Sequence, residues 1–458
     1  MKNREERLYR RETLRTLLRL SVPTVIEQLL STLLQYVDTA MVGRLGEDAT
    51  AAVNVTTTVS WLINSVPSAV SVAVLAMIAK AVGSGDHEKI RRVSQQTLLS
   101  VPAIGLILGG LSAALSPMIP AWMGAEPSIR ETASAYFLII SLPMIFRCSG
   151  IVFAAALRAT ANMRTPMLIN FGSNALNAVL NYLLIYRAGL GVVGAALATA
   201  ISYTLSGILM FAAYRRNRLL RWGWKSFRID RASLSEMVRI SFPVLGTGMA
   251  SCLGYVVFAS LVTGMGNTVF AAHSVAVTVE TIFYISGYGL RTATSTMIGM
   301  ALGEGDQRRF EAVCRLSAVL MLCMMVVSGA VLYFTSLPLM RLFIDSGEAA
   351  ALGAEMLRIV ALSEPFYGLM IVTEGVFYGL GKTRYAFLVE TLCMWGIRIL
   401  LSFFCVRFWG FGLREVWYCM IADNIGKALL FAIPVASKKG RKRLFLGSST
   451  EALPGSVE

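Results

Sequence analysis

RLSVP at residues 19–23 returns as RISFP at 239–243, and AVGSGD at 81–86 returns as ALGEGD at 301–306. Both pairs stand 220 residues apart, and Gly46 against Gly266 and AAVNV (51–55) against AAHSV (271–275) keep the same spacing. Chance does not hold one register without a gap over two long apolar stretches. The chain is therefore an internal duplication, and a duplication constrains the fold more tightly than any short motif.

What is duplicated follows from composition. Of 458 residues 55% are apolar and 15% charged, against roughly a quarter charged in a soluble chain, and the mean hydropathy is +0.63. The charges gather between long apolar runs. About twelve such runs are present, near 17–42, 52–82, 93–118, 130–157, 165–187, 190–214, 237–263, 268–301, 311–336, 352–380, 384–408 and 413–437. Runs of about 20 residues cross a hydrocarbon layer of roughly 30 Å as helices, with every backbone hydrogen bond made inside the segment. The expected fold is an all-α integral membrane protein with about twelve transmembrane helices in two pseudo-symmetric six-helix bundles. The expected lobes are 1–222 and 223–458, the second with a basic cytoplasmic tail. Six spans per copy is an even number, so the repeats are parallel, and the cleft between them is where a substrate would bind for alternating access.

The basic residues set the orientation. They crowd the N-terminal segment (Lys2, Arg4, Arg7, Arg10, Arg11, Arg15), alternate loops (Lys89, Arg91, Arg92; Arg158, Arg164; Arg308, Arg309; Lys382, Arg384) and the tail (Lys438, Lys439, Arg441, Lys442, Arg443). The opposite loops are poor in base, which predicts both termini in the cytoplasm and a multi-pass protein of the plasma or inner membrane. The net charge of +15 is thus a topology signal and gives no reason to expect nucleic acid. The loop 215–231 is the most basic internal stretch; Trp222 and Trp224 there suit the headgroup layer, and Ser233 with Glu236 has capping-box spacing. The N-terminus lacks a small-residue cleavage site, so its first helix is expected to be retained. Seven cysteines without metal-ligand spacing read as buried apolar residues. Two histidines, with no zincin motif and no nucleophile elbow, speak against an enzyme.

Proline removes a backbone hydrogen bond and bends a helix. Pro23 and Pro243 stand at equivalent places, as do Pro143 and Pro365; Pro23 is the candidate hinge.

The stretches YVDTAMVGRLG (36–46), AKAVGSGD (79–86), LRATANMRTPM (157–167), GVVGAALAT (191–199), AAHSVAV (271–277), YGLGKTR (378–384) and MWGIRI (394–399) occur in order over nearly the whole chain. Together with the repeat they resemble the MATE family (multidrug and toxic compound extrusion) of cation-coupled exporters. The resemblance implies a V-shaped twelve-helix fold and export of amphipathic, often cationic organic compounds on a Na⁺ or H⁺ gradient.

Ionisable groups inside a span are functional candidates by default. Asp38 lies toward the outer end of the first span. Asn177 and Asn181 share a face of the fifth by i, i+4 spacing, and Thr199 lies early in the sixth. Counting about 1.5 Å per residue puts all four in the outer half of the N-terminal bundle. A carboxylate with amide and hydroxyl oxygens suits a hard cation such as Na⁺; desolvated, it suits a proton. The resemblance carries the same four positions over as the family's N-lobe ion site. Asn181 stands where some members have a second aspartate, which leaves the ion open. These four are metal ligands only if Na⁺ is the coupling ion, and no other cofactor is expected.

Glu27, on Asp38's face about 16 Å away, Tyr36, Glu280, Phe283, Tyr284, Glu364, Tyr367 and Glu374 are candidates for the substrate cleft. Many family members carry an acid in the seventh span; none stands here, and Glu280 is the preferred replacement, set against a salt bridge with Arg291. Arg147, Arg398, Asp423 and Lys427 are expected to be structural. The expected function is ion-coupled antiport of small organic molecules by a monomer in the bilayer. The alternative is a flippase for a lipid-linked precursor, which would favour a cationic cleft where these acids outnumber the bases.

Overall fold

The computed structural model describes residues 2–222, 228–344 and 346–450. Among them the chain is helical, without a strand. The first half runs α1 (Lys2–Gly43), α2 (Glu47–Gly83), α3 (His87–Leu115), a single turn α4 (Ile119–Trp122), α5 (Pro127–Ser141), α6 (Met144–Ala159), α7 (Arg164–Asn181) and α8 (Gly191–Arg216). The second runs α9 (Arg231–Thr263), α10 (Asn267–Glu304), α11 (Gln307–Phe343), α12 (Gly347–Ala361), α13 (Glu364–Gly379), α14 (Thr383–Cys393), α15 (Leu400–Arg407), α16 (Leu413–Ala436) and α17 (Lys438–Thr450). Ten helical segments are long and apolar enough to cross a membrane. Two bent pairs, α5 with α6 and α12 with α13, bring the total to twelve spans. The protein is thus a multi-pass membrane protein of the expected class.

The bends fall where proline was read. The α5–α6 axis turns by 51° and the α12–α13 axis by 56°. Pro143 immediately precedes α6 and Pro365 lies in the first turn of α13. Pro23 and Pro243 instead lie inside the continuous helices α1 and α9. Next to Pro23, the Thr24 hydroxyl donates to the Gly289 carbonyl at 2.8 Å. A Cβ on Gly289 would stand 2.6 Å from the Val25 nitrogen, so only glycine lets α10 approach α1 this closely.

The duplication is visible in the backbone. The amides of Gly85 and Asp86 turn back to the carbonyls of Val82 and Ala81, and those of Gly305 and Asp306 to Leu302 and Ala301. Ala161 and Asn162 do the same with Arg158 and Leu157, and Gly381 and Lys382 with Tyr378 and Phe377. These are four Schellman caps, paired across the halves in one register. Asp86 and Asp306 then cap the following helices, accepting from the amides of Lys89 at 2.8 Å and Arg309 at 3.0 Å.

Packing divides the chain into two compact units, Leu29–Leu245 and Met1–Gln28 with Gly246–Glu458. Helices α1 and α9 each contribute to both units, changing over shortly after Pro23 and Pro243. In the first unit α6 packs on α2, α3 and α8, and in the second α13 packs on α10, α11 and α16.

Two local readings need correction, those of the α9 cap and of Trp222, and two basic segments prove helical. Helix α1 begins well before the apolar run, because REERLYRRETLR is charged yet rich in good helix formers; Glu6 and Arg10 pair across one turn at 2.6 Å. The cap of α9 is Asp230, which accepts from the Ser233 hydroxyl at 2.6 Å and the Ala232 amide at 3.2 Å. Glu236 is drawn away to Lys89 at 3.3 Å, so the Ser233–Glu236 capping box does not form. Trp222 is buried, with the Arg215 guanidinium 4.9 Å over its ring; Trp224 falls outside the described residues. The basic tail is a helix whose buried Arg441 donates to the Val435 and Ala436 carbonyls at 2.7 and 2.6 Å, satisfying the open end of α16.

Two π-helical stretches escaped the sequence reading. Tyr182–Arg187 closes the fifth span and Met394–Ile399 joins α14 to α15. Both arise where one backbone carbonyl skips a residue, a feature that tertiary packing decides and that often accompanies sites.

Candidate ion and substrate site

In the Leu29–Leu245 unit, α1, α7 and α8 bring the four expected ion-site residues into one hydrogen-bonded chain. The Asn181 amide donates to Asp38 Oδ1 and, at 3.3 Å, to Asn177 Oδ1. Asn177 in turn donates to the Thr199 hydroxyl at 3.3 Å. The i, i+4 spacing on α7 makes the asparagine pair meet. Asn174, one turn earlier on the same stripe, donates to the Ser31 hydroxyl of α1 at 3.1 Å. Asn181 is fully buried, and its Oδ1 has no hydrogen-bond partner among the described residues. A buried acceptor left open beside a carboxylate is what a bound cation would satisfy.

Asp38, Asn177 and Thr199 line a cavity of about 520 Å³ in this unit. Tyr136, Asn174, Ser202, Tyr203 and Arg147 share the wall. Arg147 was expected to be structural. It faces this cavity instead, its guanidinium 4.5 Å over the Tyr203 ring. The sequence signal was present, an ionisable group within a span, but such arginines usually find a carboxylate, and nothing in one dimension showed that this one does not. Tyr36 is half-buried on α1.

The cleft candidates of the second half, with Glu27, lie in the other unit. Glu27 is buried. Glu374 is held by Arg291 at 2.6 Å, and Arg291 also lies 4.5 Å over the Tyr288 ring. Arg291 therefore answers to α13, and the Glu280–Arg291 bridge weighed from sequence does not form. Glu280 is buried on α10. Glu364, 1% exposed, has no hydrogen-bond partner on either carboxyl oxygen among the described residues. Tyr284 and Tyr367 meet edge to face at 4.9 Å, and the Phe283 carbonyl accepts from Ser328 at 2.8 Å.

Deeper in this unit stands a closed ionic cluster. Asp423 meets Arg398 at 2.9 Å and Lys427 at 3.2 Å, and Lys427 meets Glu390 at 2.9 Å. Asn424 accepts from Arg398 at 3.0 Å. Two acids and two bases balance, all buried, as the expected structural role of Arg398, Asp423 and Lys427 requires. His273 accepts from the Trp417 indole at 3.2 Å.

The MatE family model matches this chain twice, over residues 23–183 and 243–404, beginning each time at the equivalent prolines of the repeat. A probable multidrug resistance protein NorM of Thermotoga maritima is 28% identical over 95% of both chains. Among solved structures, an outward-facing multidrug resistance MATE family transporter of the MOP superfamily superposes with a TM-score of 0.89 at 21% identity, covering 96% of this chain and 97% of that one. A MOP superfamily transporter of Pyrococcus furiosus gives a TM-score of 0.88 at 21% identity, over 94% and 96%. The two structures share the twelve-span fold with this protein.

Proposed function

This chain belongs to the MatE family, whose model covers well over half of it, and from that premise we propose that it is an ion-coupled antiporter exporting amphipathic organic compounds by alternating access. The observation that carries the reading is the cavity-lining carboxylate of Asp38, tied through Asn181 and Asn177 to Thr199 beside an open buried acceptor. An acid held by the Asn181 amide, with no base paired to it among the described residues, can change its cation without dismantling an ion pair. Whether Na⁺ or H⁺ occupies it, gain or loss of one charge in a low-dielectric bundle is a large local perturbation. The relatives named as multidrug resistance proteins support export of varied organic compounds. The distribution of basic loops supports a cytoplasmic-membrane protein with both termini inside. Pro23 is the proposed hinge, close to where α1 passes from one compact unit to the other.

The test is dye efflux from proteoliposomes under separately imposed Na⁺ and H⁺ gradients. Wild type responds to one gradient, and Asp38→Asn abolishes that response while still binding the dye. Coupled efflux of undiminished rate in Asp38→Asn refutes the assignment.

A further inference from the structure

Cys405 and Cys419 take no part in that scheme. All seven cysteines carry free thiols, and five of them lie on α6, α9, α11 and α14. The other two meet. Cys405 Sγ and Cys419 Sγ stand 3.7 Å apart, although 14 residues separate them along the chain. A disulfide needs about 2.0 Å between its sulfurs, so rotation about the two Cα–Cβ bonds has little distance left to cover. Both cysteines are buried, on helices that flank one short connection: α15 ends at Arg407 and α16 begins at Leu413. Deeper along the same two spans Arg398 meets Asp423 at 2.9 Å and Asn424 at 3.0 Å. Asp423 lies one turn beyond Cys419, and Arg398 two turns before Cys405. The thiols and the ion pair therefore share one seam, and the seam holds the sulfurs opposite each other.

Depth decides which compartment the pair faces. Cys405 lies in the last turn of α15 and Cys419 in the second turn of α16, so both are within about 10 Å of the helix ends. Phe408, Trp409 and Phe411 in the connection are exposed, as aromatic residues are at the headgroup layer. With twelve spans and both termini in the cytoplasm, this connection lies outside, and the inference rests on that orientation. Thiols there are not kept reduced by the cytosolic pool.

We propose that Cys405 and Cys419 are a redox-active pair that an external disulfide oxidises, stapling the outer ends of the eleventh and twelfth spans. One cysteine thiolate attacks the external disulfide, forming a mixed disulfide and releasing one thiolate. The second cysteine thiolate attacks the protein sulfur of that mixed disulfide, closing the Cys405–Cys419 bond and releasing the other thiolate. The two cysteines lose two electrons, the external disulfide gains them, and the two cysteine protons end on the released thiols. The closed loop restricts the unfolded chain. Both cysteines belong to one compact unit, so the bond is a local staple.

The test treats purified full-length protein in detergent with mixtures of reduced and oxidised glutathione. The samples are quenched in acid, unfolded and labelled with a maleimide, and adducts are counted by intact mass. Wild type is expected to lose two of its seven labels together, with no glutathione retained by that pair, and to unfold several degrees higher than its reduced form. Cys405→Ala and Cys419→Ala form no internal bond, and oxidant does not raise their unfolding temperatures. Cys393→Ala keeps the paired loss. A wild type that retains all its labels in the most oxidising mixture overturns the proposal, and so does a Cys405→Ala that still loses two labels together. Either result leaves the export reading intact. Oxidised glutathione does not cross membranes, so after reduction with a permeant phosphine it should close the bond in right-side-out vesicles and not in inverted ones. Closure in inverted vesicles alone overturns the proposal together with the orientation beneath it.

Discussion

The surroundings of Asp38 and of Asp423 are built from the same kinds of group and do opposite things with them. Around Asp38 the polar atoms form an open chain of hydrogen bonds along a cavity, with no ion pair to Asp38 among the described residues and with a guanidinium that meets an aromatic ring. Around Asp423 every charge has its opposite within about one hydrogen-bond length, in a cluster closed to solvent. The repeat register sets Phe258 in α9 opposite Asp38 in α1. Phe258 is buried, with the Arg398 guanidinium 5.8 Å over its ring. Duplication preserved the caps and the spans, whereas the chemistry of the two copies diverged into a carboxylate hydrogen-bonded beside a cavity and a core of paired charges.

The largest structural difference is therefore expected on removing an acid. Asp423→Asn leaves Arg398 and Lys427 facing a single remaining carboxylate, Glu390, inside the protein. Breaking a buried cluster by removing one partner costs about 3–5 kcal/mol, read as a large drop in thermal unfolding temperature in detergent. Asp38→Asn is expected to change stability by less than about 1 kcal/mol, because an amide can still hydrogen-bond to Asn181, while it abolishes coupled efflux. Adding Arg398→Met to Asp423→Asn removes one charge of each sign and should recover more than half of the loss. Equal stability losses for Asp38→Asn and Asp423→Asn would erase the contrast between the two regions.

The fold was legible from the duplication, because helix caps and proline breaks are local devices that repeat with the sequence. The Pro143 and Pro365 bends were readable for that reason. Pairings between helices were not. Arg291 was set against Glu280 on its own helix, but its partner is Glu374, on α13. Arg147 was placed among structural charges because one-dimensional reading cannot distinguish an arginine that reaches an acid from one that reaches a ring. The chain of Asp38, Asn181, Asn177 and Thr199 was approachable because i, i+4 spacing and depth counting both operate along single helices. The cavity beside it is lined by six helices at once, α1, α2, α5, α6, α7 and α8.

A smaller effect separates a paired cap from an exposed one. Asp230 holds the start of α9 through Ser233, and that hydroxyl keeps its carboxyl below the ordinary aspartate range. A group whose folded value is lowered stabilises above its ordinary value, about 3.9, and loses that contribution as pH falls through the lowered one. Asp230→Ala is expected to cost about 1 kcal/mol at neutral pH. Asp230→Asn should retain most of the cap and lose its acid sensitivity. Unfolding temperatures at neutral and acidic pH distinguish the two variants, and an Ala variant as stable as wild type at neutral pH would remove Asp230 as the cap.

The smallest expected effect lies in the four Schellman turns. Three use glycine at the left-handed position, Gly85, Gly305 and Gly381, with φ of 67°, 69° and 70°. The fourth puts Ala161 there with φ of 60°, the one left-handed non-glycine among the described residues. The Cβ of an L-residue crowds the carbonyl in that conformation, at roughly 1 kcal/mol. Ala161→Gly removes the crowding but loosens the unfolded chain, which offsets part of the gain. A net stabilisation of about 0.5 kcal/mol is expected, visible as a small rise in unfolding temperature. The converse change Gly381→Ala, at the equivalent turn of the other half, should cost a similar amount. Opposite signs in the two halves would show that the caps are energetically as well as geometrically duplicated, whereas a destabilised Ala161→Gly would mean that the Ala161 methyl makes contacts worth more than its strain.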